Sequence, residues 1–281
     1  MSERIKHQVI SYLEKYGYND DVSLSQRYDD SVLSNRLFEF QHFNYFTYQA
    51  FFPDYKPTGK IDDETLNVMS LPRCGCPDTT LLPQGSGSWD VGCHTPGIHE
   101  VTIKVDPRGM PNRLQPIFKD VVDLVIGAYK EIGMLLNFDP QGRNINIDFS
   151  FEYLRGAIGL AIVPNNPGCR NRIWCKYDPR YNPSDMLNQW ARLLAHELGH
   201  NMGLSHYRGG IMNSYILSGK FTHREWVGDP AENLLRRWFG IPIPDPNPPG
   251  KITNSLILTD KNFYSNEVPV TLKIGDKVYK S

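Results

Sequence analysis

The sequence predicts an α+β fold: a small helical domain over residues 1–78, then a domain in which a twisted mixed sheet packs on helices. Three observations carry that reading. Three short helix-periodic segments fill the first seventy or so residues. Beyond them the order is strand, helix, strands, helix, the pattern of a small sheet packed on two helices. Between the two lies TTLLPQGSGSW (79–89), rich in Pro, Gly and Ser and without periodicity, which reads as an exposed linker open to proteolysis.

The elements follow in order. Residues 4–17 place Ile5, Val9, Ile10, Leu13 and Tyr16 at helical spacing. SVLSNRLFEFQHFNYF puts Val32, Leu33, Leu37, Phe40 and Phe43 near one face. TGKIDDETLNVMSLP offers a turn at Gly59, an N-cap at Asp62 or Asp63, and a short helix stopping before Pro72. The second domain spans 90–241. HEVTIKVD (99–106) alternates like a half-buried strand, and RLQPIFKDVVDLVIGAYKEIGMLLNF reads as one long amphipathic helix. NINIDFSFEY (144–153), GAIGLAIVP (156–164) and RIWCKYDPRY (172–181) give further strands. NPSDMLNQWARLLAHELGH is a helix with Ser184 as N-cap. GDPAENLLRRWFG (228–240) reads as a last helix, IPIPDPNPPG as a stiff linker over 242–250, and residues 251–281 as a β-rich tail.

Composition narrows the partners. A chain of 281 residues supports a sizeable core and two domains, and a formal net charge of −1 gives no reason to expect nucleic acid or a membrane surface. No apolar run approaches transmembrane length. The start, MSERIKHQVISYLEKYGYND, is charged and has no apolar signal core, so the protein stays where it is made or the numbering begins after a removed leader. The five cysteines are Cys74, Cys76, Cys93, Cys169 and Cys175. Two bridges, Cys169–Cys175 and Cys76–Cys93, would leave Cys74 free; five reduced thiols are the alternative.

The chemistry concentrates in AHELGHNMGLSH (195–206). His196 and His200 are one helical turn apart on one face and can grip one metal ion from the same side. Gly203 can leave the helix through φ > 0 and bring His206 round as a third ligand. Three histidines with an open position for water form a catalytic rather than a structural zinc site, and Glu197 is placed to act as base. Met212, six residues on in a Gly-rich turn, and the loop PRCGCPD (72–78) complete the set. In that loop Arg73 and Asp78 can pair, and Cys74 is a thiol able to take the water's position on the metal. His7, His42, His94, His99 and His223 read as surface or packing residues.

HELGHNMGLSH with IMNSY resembles the metzincin metalloproteases, and PRCGCPD narrows the resemblance to the matrixin (matrix-metalloproteinase-like) family with a cysteine-switch pro-domain. It covers about residues 5–240. The resemblance implies a latent zinc endopeptidase acting on protein or peptide substrates, extracellular, monomeric, and activated by removal of residues 1–78. His196, His200 and His206 would bind one catalytic zinc, Glu197 would be the general base, Met212 the Met-turn and Cys74 the latency ligand. Leu160–Val163 would align substrate, and Tyr215–Ser218 would lie near the S1′ wall. The first seventy residues also resemble the peptidoglycan-binding-like three-helix domain, so the alternative function is a cell-wall-binding protein whose zinc domain is scaffold or trims peptidoglycan peptides.

Departures from the family mark a divergent, microbial-type relative. No histidine lies between His99 and His196, and Ile162 stands where a ligand of a second, structural zinc is expected. That zinc is expected to be absent, and calcium is left open. Cys76 stands where the switch usually has a small apolar or amide residue, Tyr207 follows the third histidine where serine is usual, and no hemopexin-like repeats follow the linker.

Overall fold

A computed structural model describes residues 2–18, 26, 28–78, 100–139, 145–149, 156–161, 172–176, 185–207, 209–216, 221, 232, 235–236, 241, 271–274 and 277–280. The chain forms two compact units, Met1–Pro242 and Ile243–Ser281. In the second, strands Thr271–Ile274 and Lys277–Lys280 make an antiparallel hairpin. Within the alternating tail the described residues are thus strand, as expected.

The first unit begins with helices α1 (Glu3–Lys15), α2 (Asp30–Phe43), α3 (Tyr45–Phe51) and α4 (Asp63–Ser70). The Ser2 hydroxyl accepts the Ile5 amide and starts α1. Asp62 is the cap of α4, its Oδ1 accepting the Thr65 amide at 2.8 Å. The expected three helices are four. Asn44 breaks the second periodic segment, because its side-chain amide turns back to the Phe40 carbonyl at 3.0 Å and leaves Tyr45 to start a new helix. Phe40 lies at the centre of this layer, edge-on to Tyr12, Tyr18 and Tyr48 at centroid distances of 5.8, 5.5 and 6.2 Å. Such edge-to-face pairs add to the burial of the rings themselves.

Strands β1 (Glu100–Asp106), β2 (Leu135–Phe138), β3 (Ile145–Asp148), β4 (Gly159–Ala161) and β5 (Arg172–Cys175) form one sheet in the order β2-β1-β3-β5-β4. All neighbours run parallel except β4, which pairs antiparallel with β5 at the edge. Helices α5 (Phe118–Glu131) and α6 (Met186–Asn201) pack on the sheet and on each other. The Tyr129 hydroxyl ties them by donating to the Ala195 carbonyl at 2.8 Å. Val101, Ile103, Ile145, Ile147 and Ile173 from the strands meet Val121, Val125, Trp190, Leu194 and Leu198 from the helices in one core.

Two sequence expectations need correction here. The long helix over RLQPIFKDVVDLVIGAYKEIGMLLNF is a 14-residue helix followed by a strand. Gly133 takes φ +86°, its amide donates to the Lys130 carbonyl, and the Met134 amide reaches back to Tyr129. This left-handed stop releases LLNF to pair with β1. Helix α6 starts at Met186 with Asp185, not Ser184, in the cap position, and the Asp185 side chain binds that of Asn188 instead of a helix amide. Of the expected last helix only Glu232, Leu235 and Arg236 are described, and they are helical. The linkers 79–89 and 242–250 lie outside the described residues.

Replacing Phe40 with alanine should lower the unfolding free energy by about 3–5 kcal/mol, the usual cost of emptying a fully buried aromatic position. Urea denaturation checks this, and a loss under about 1 kcal/mol would mean the aromatic layer is not close-packed.

Candidate active site

Helix α6 carries His196, Glu197 and His200, all buried. It ends as the sequence predicts: Gly203 has φ +95°, its amide donates to His200 and the Leu204 amide to Gly199. The chain then turns back and delivers His206 to the same point. His196 Nδ1 lies 2.7 Å from the Ile211 carbonyl, and His200 Nδ1 2.7 Å from the Leu204 carbonyl. A carbonyl only accepts, so each Nδ1 carries a proton and Nε2 is the atom turned toward a metal. Burial would lower the His200 imidazole, but Cys76 and Glu197 beside it push it up to about 9, so a metal there would displace the Nε2 proton. His206 Nδ1 faces the Asp78 carboxylate at 3.0 Å, which fixes the same tautomer.

The three Nε2 atoms therefore converge, with His200–His206 at 3.0 Å and His206–His196 at 3.3 Å. Nitrogens about 2.0–2.1 Å from a tetrahedral ion sit about 3.3 Å apart, so the spacing is that of ligands around one centre. Lone pairs packed this closely repel unless a cation sits among them. Burial holds the His196 and His206 imidazoles below their usual range, which keeps them neutral as ligands must be. The Cys74 sulfur joins the group, and the ligand atoms of Cys74, His196, His200 and His206 all lie within 4.8 Å of one another. Among the described residues this cluster can hold a metal ion.

The loop carrying Cys74 reaches the site by pairing on both sides. Arg73 bridges antiparallel to Tyr215, and Cys74 parallel to Gly159 of the edge strand β4. The Cys74 amide donates to Ser214 at 2.9 Å, Gly75 to Gly159 at 2.7 Å, and Ile158 to Arg73 at 3.0 Å. Gly75 lets the loop lie close to the edge strand, since a Cβ there would sit 3.0 Å from the Ala157 Cβ and 3.2 Å from the Gly159 carbonyl, tighter than ordinary contact. Arg73 and Asp78 pair across the loop at 2.6 Å, as the sequence suggests. Both are buried, and Arg73 also stacks 3.5 Å over the Tyr16 ring. Tyr18 donates to Asp78 Oδ2 at 2.7 Å, Asn44 at 3.3 Å, and the Ser214 hydroxyl to Oδ1. Burial alone would push the Asp78 carboxyl up, but Arg73 and His206 outweigh it and hold it well below the usual carboxylate range.

Glu197 is fully buried, and neither carboxylate oxygen has a hydrogen-bond partner among the described residues. Burial, then the neighbouring Cys76, pushes its carboxyl up to about 8. Two glycines that sequence reading passed over make room here. A Cβ on Gly159 would lie 2.1 Å from Glu197 Oε1, and one on Gly199 2.5 Å from the Met212 sulfur. Met212 thus packs directly beneath the turn of α6 between the two helical histidines. Asp78 reaching His206 was also missed, since no local pattern reports a contact across 128 positions. Tyr215, expected near the S1′ wall, lies in the helical layer's core, and its hydroxyl meets that of Tyr12 at 2.7 Å. Residues 217 and 218, like Ile162 and Val163, are outside the described residues.

The two-bridge expectation fails. Cys74, Cys76 and Cys175 are free, buried thiols. Cys76 lies beside the metal cluster and Cys175 in a buried strand of the sheet. Cys93 and Cys169 lie outside the described residues.

No family model matches the chain. Among curated proteins it is 29% identical to an interstitial collagenase of Sus scrofa over 224 residues, 75% of this chain and 45% of that protein. It is 29% identical to the interstitial collagenase of Oryctolagus cuniculus over 181 residues, 61% and 38% of the two chains. To stromelysin-1 of Rattus norvegicus it is 25% identical over 205 residues, 69% and 40%. The chain spans less than half the length of these relatives. Matches of this extent, running through the segments that build the histidine cluster and its thiol loop, make the chain a relative of the matrix metalloproteinases.

Proposed function

We propose that the chain is a zinc endopeptidase held latent by its own N-terminal helical segment. The observation that carries this is the convergence of three imidazole nitrogens beside a buried carboxylate with no hydrogen-bond partner among the described residues. His196, His200 and His206 would hold the single catalytic zinc, with Cys74 as fourth ligand in the latent form only. When bound, zinc polarises the scissile carbonyl and lowers the pKa of a coordinated water to about 7. Glu197 would take the attacking water's proton and return it to the leaving amine. In the closed form burial and the neighbouring Cys76 push its carboxyl up to about 8, and loss of the loop would remove both causes and leave it to act as the base. Met212 would be the floor that holds α6 and its two ligands in place.

The substrate side is the edge strand β4, where a peptide would add by main-chain pairing. In the latent state that edge is taken by Arg73–Cys76, whose backbone bonds to Ile158 and Gly159 occupy the positions a peptide would use. Segments of protein substrates that are already extended would be favoured. Cleavage in or near 79–89 would free the loop, and removal of residues 1–78 would open the site. By analogy with its relatives the enzyme would act outside the cell and as a monomer. It provides no separate role in glycan binding for the helical segment, which here serves as a clamp.

Changing Glu197 to glutamine should leave about one zinc per chain and cut peptide hydrolysis by about 10²-fold or more. Zinc analysis and hydrolysis of a quenched fluorescent peptide test this, and a fully active variant would remove Glu197 from the mechanism. Removing both loop thiols, as Cys74→Ser with Cys76→Ser, should give the full-length chain activity without processing, and chelation should abolish it. If the double variant stays as silent as the parent, thiol latency is wrong.

A further inference from the structure

The latch proposed above uses one thiol, yet the loop presents two. Residues i and i+2 of an extended segment face the same side, so the spacing Cys74–Gly75–Cys76 aims both sulfurs at α6 while Arg73 turns away into the helical layer. Cys76 is buried, and its amide donates to the Cys74 sulfur at 3.3 Å. The ligand atoms of Cys74, Cys76, Glu197 and His200 form a second group within 4.8 Å of one another. This group shares Cys74 and His200 with the three-histidine cluster. The Cys76 sulfur also makes a long contact, 3.8 Å, to the Ala161 carbonyl. A thiol kept only for packing has no need of an imidazole and a carboxylate as neighbours.

We propose that Cys76 is a reserve ligand of the latent metal, taking the sulfur position whenever Cys74 is lost. Where both thiols are present, one sulfur–metal bond would form to Cys76 as the one to Cys74 breaks, the Cys76 thiol proton passing to the departing Cys74 thiolate. Where Cys74 is substituted, Cys76 would bind as the metal is loaded and give its proton to the solvent. No electrons are transferred. Both sulfurs already lie within 4.8 Å of a ring nitrogen of His200, the histidine common to the two groups. The latch is thus a two-thiol device in which loss of either sulfur leaves the site closed. The inference rests on the zinc reading above, but its failure is separable from that of the zinc reading.

The test is the near-ultraviolet sulfur-to-cobalt charge-transfer band of the full-length chain loaded with cobalt(II). The parent, Cys74→Ser and Cys76→Ser should show the band within about two-fold of one another, and the double variant should fall to about a tenth or less. Latency should follow the band, kept in each single variant and lost in the double. Cys74→Ala is run beside Cys74→Ser, with cobalt content and circular dichroism of each to confirm a loaded, folded protein. If both Cys74 variants load cobalt but drop to the double variant's intensity, Cys76 is no ligand and the proposal is overturned. If the parent binds no cobalt at all, the metal reading falls and takes this one with it.

Discussion

The Arg73–Asp78 pair is the interaction on which the closed site depends. Two charges buried together are costly to desolvate, and their attraction compensates only when the remaining polar atoms are also satisfied. Here they are. Asp78 receives Arg73, Tyr18, Asn44 and Ser214 and faces His206, while Arg73 adds contacts to Tyr12 and to the Cys74 carbonyl. Three layers meet at this one carboxylate: Tyr18 and Asn44 from the helical layer, Ser214 from the turn beyond Met212, and the third histidine. Because Arg73 and Asp78 flank the cysteines, the pair also fixes the width of the loop and so the depth to which the sulfurs reach.

The same carboxylate links closure to metal affinity. A histidine that donates its far ring proton to an acceptor is oriented and made a better ligand. For His196 and His200 that acceptor is a carbonyl within the same domain, from Ile211 and Leu204. For His206 it is Asp78, which belongs to the loop. In the proposed latch, undocking the loop would therefore remove a thiol from the metal site and an orienting carboxylate from one imidazole in a single motion. Glu197 experiences the opposite change, since departure of the loop takes Cys76 away and admits water to a carboxylate that burial now keeps protonated up to about 8.

Much of the site was legible because its rules are local. The four-residue histidine spacing, the left-handed exit at Gly203, the Met212 turn and the pairing of Arg73 with Asp78 each follow from geometry over a few residues. The sheet order was not legible, and the run ending in LLNF shows why. Its apolar residues satisfy the helical period through Ile132, and only the carbonyls that Gly133 and Met134 select convert the remainder to strand. Asn44 hides a helix break in the same way, since its amide is useful only once Tyr18 and Asp78 are nearby. Cysteine pairing failed for a different reason: sequence proximity suggested bridges, whereas Cys76 is held by the cluster at α6 and Cys175 by the core.

Release of the loop cannot be a matter of breaking the ion pair, because Arg73 and Asp78 sit on the same short segment and can leave together. What holds the segment to the body is backbone pairing to Gly159 and Ser214, the contacts of Asp78 with Ser214 and His206, and Tyr215 lodged among Tyr12, Tyr16 and Arg73. Individually these are ordinary interactions, each worth on the order of 1 kcal/mol net. Their strength lies in being intramolecular, since a tether keeps the loop at high effective concentration over the site. Tyr215 makes the arrangement reciprocal: the helical layer completes its core with a side chain from beyond α6, and would lose that packing if the N-terminal segment were released. A cut that severs the tether therefore acts on every one of these contacts at once without touching any of them, turning a closed intramolecular equilibrium into a dissociation that dilution drives to completion.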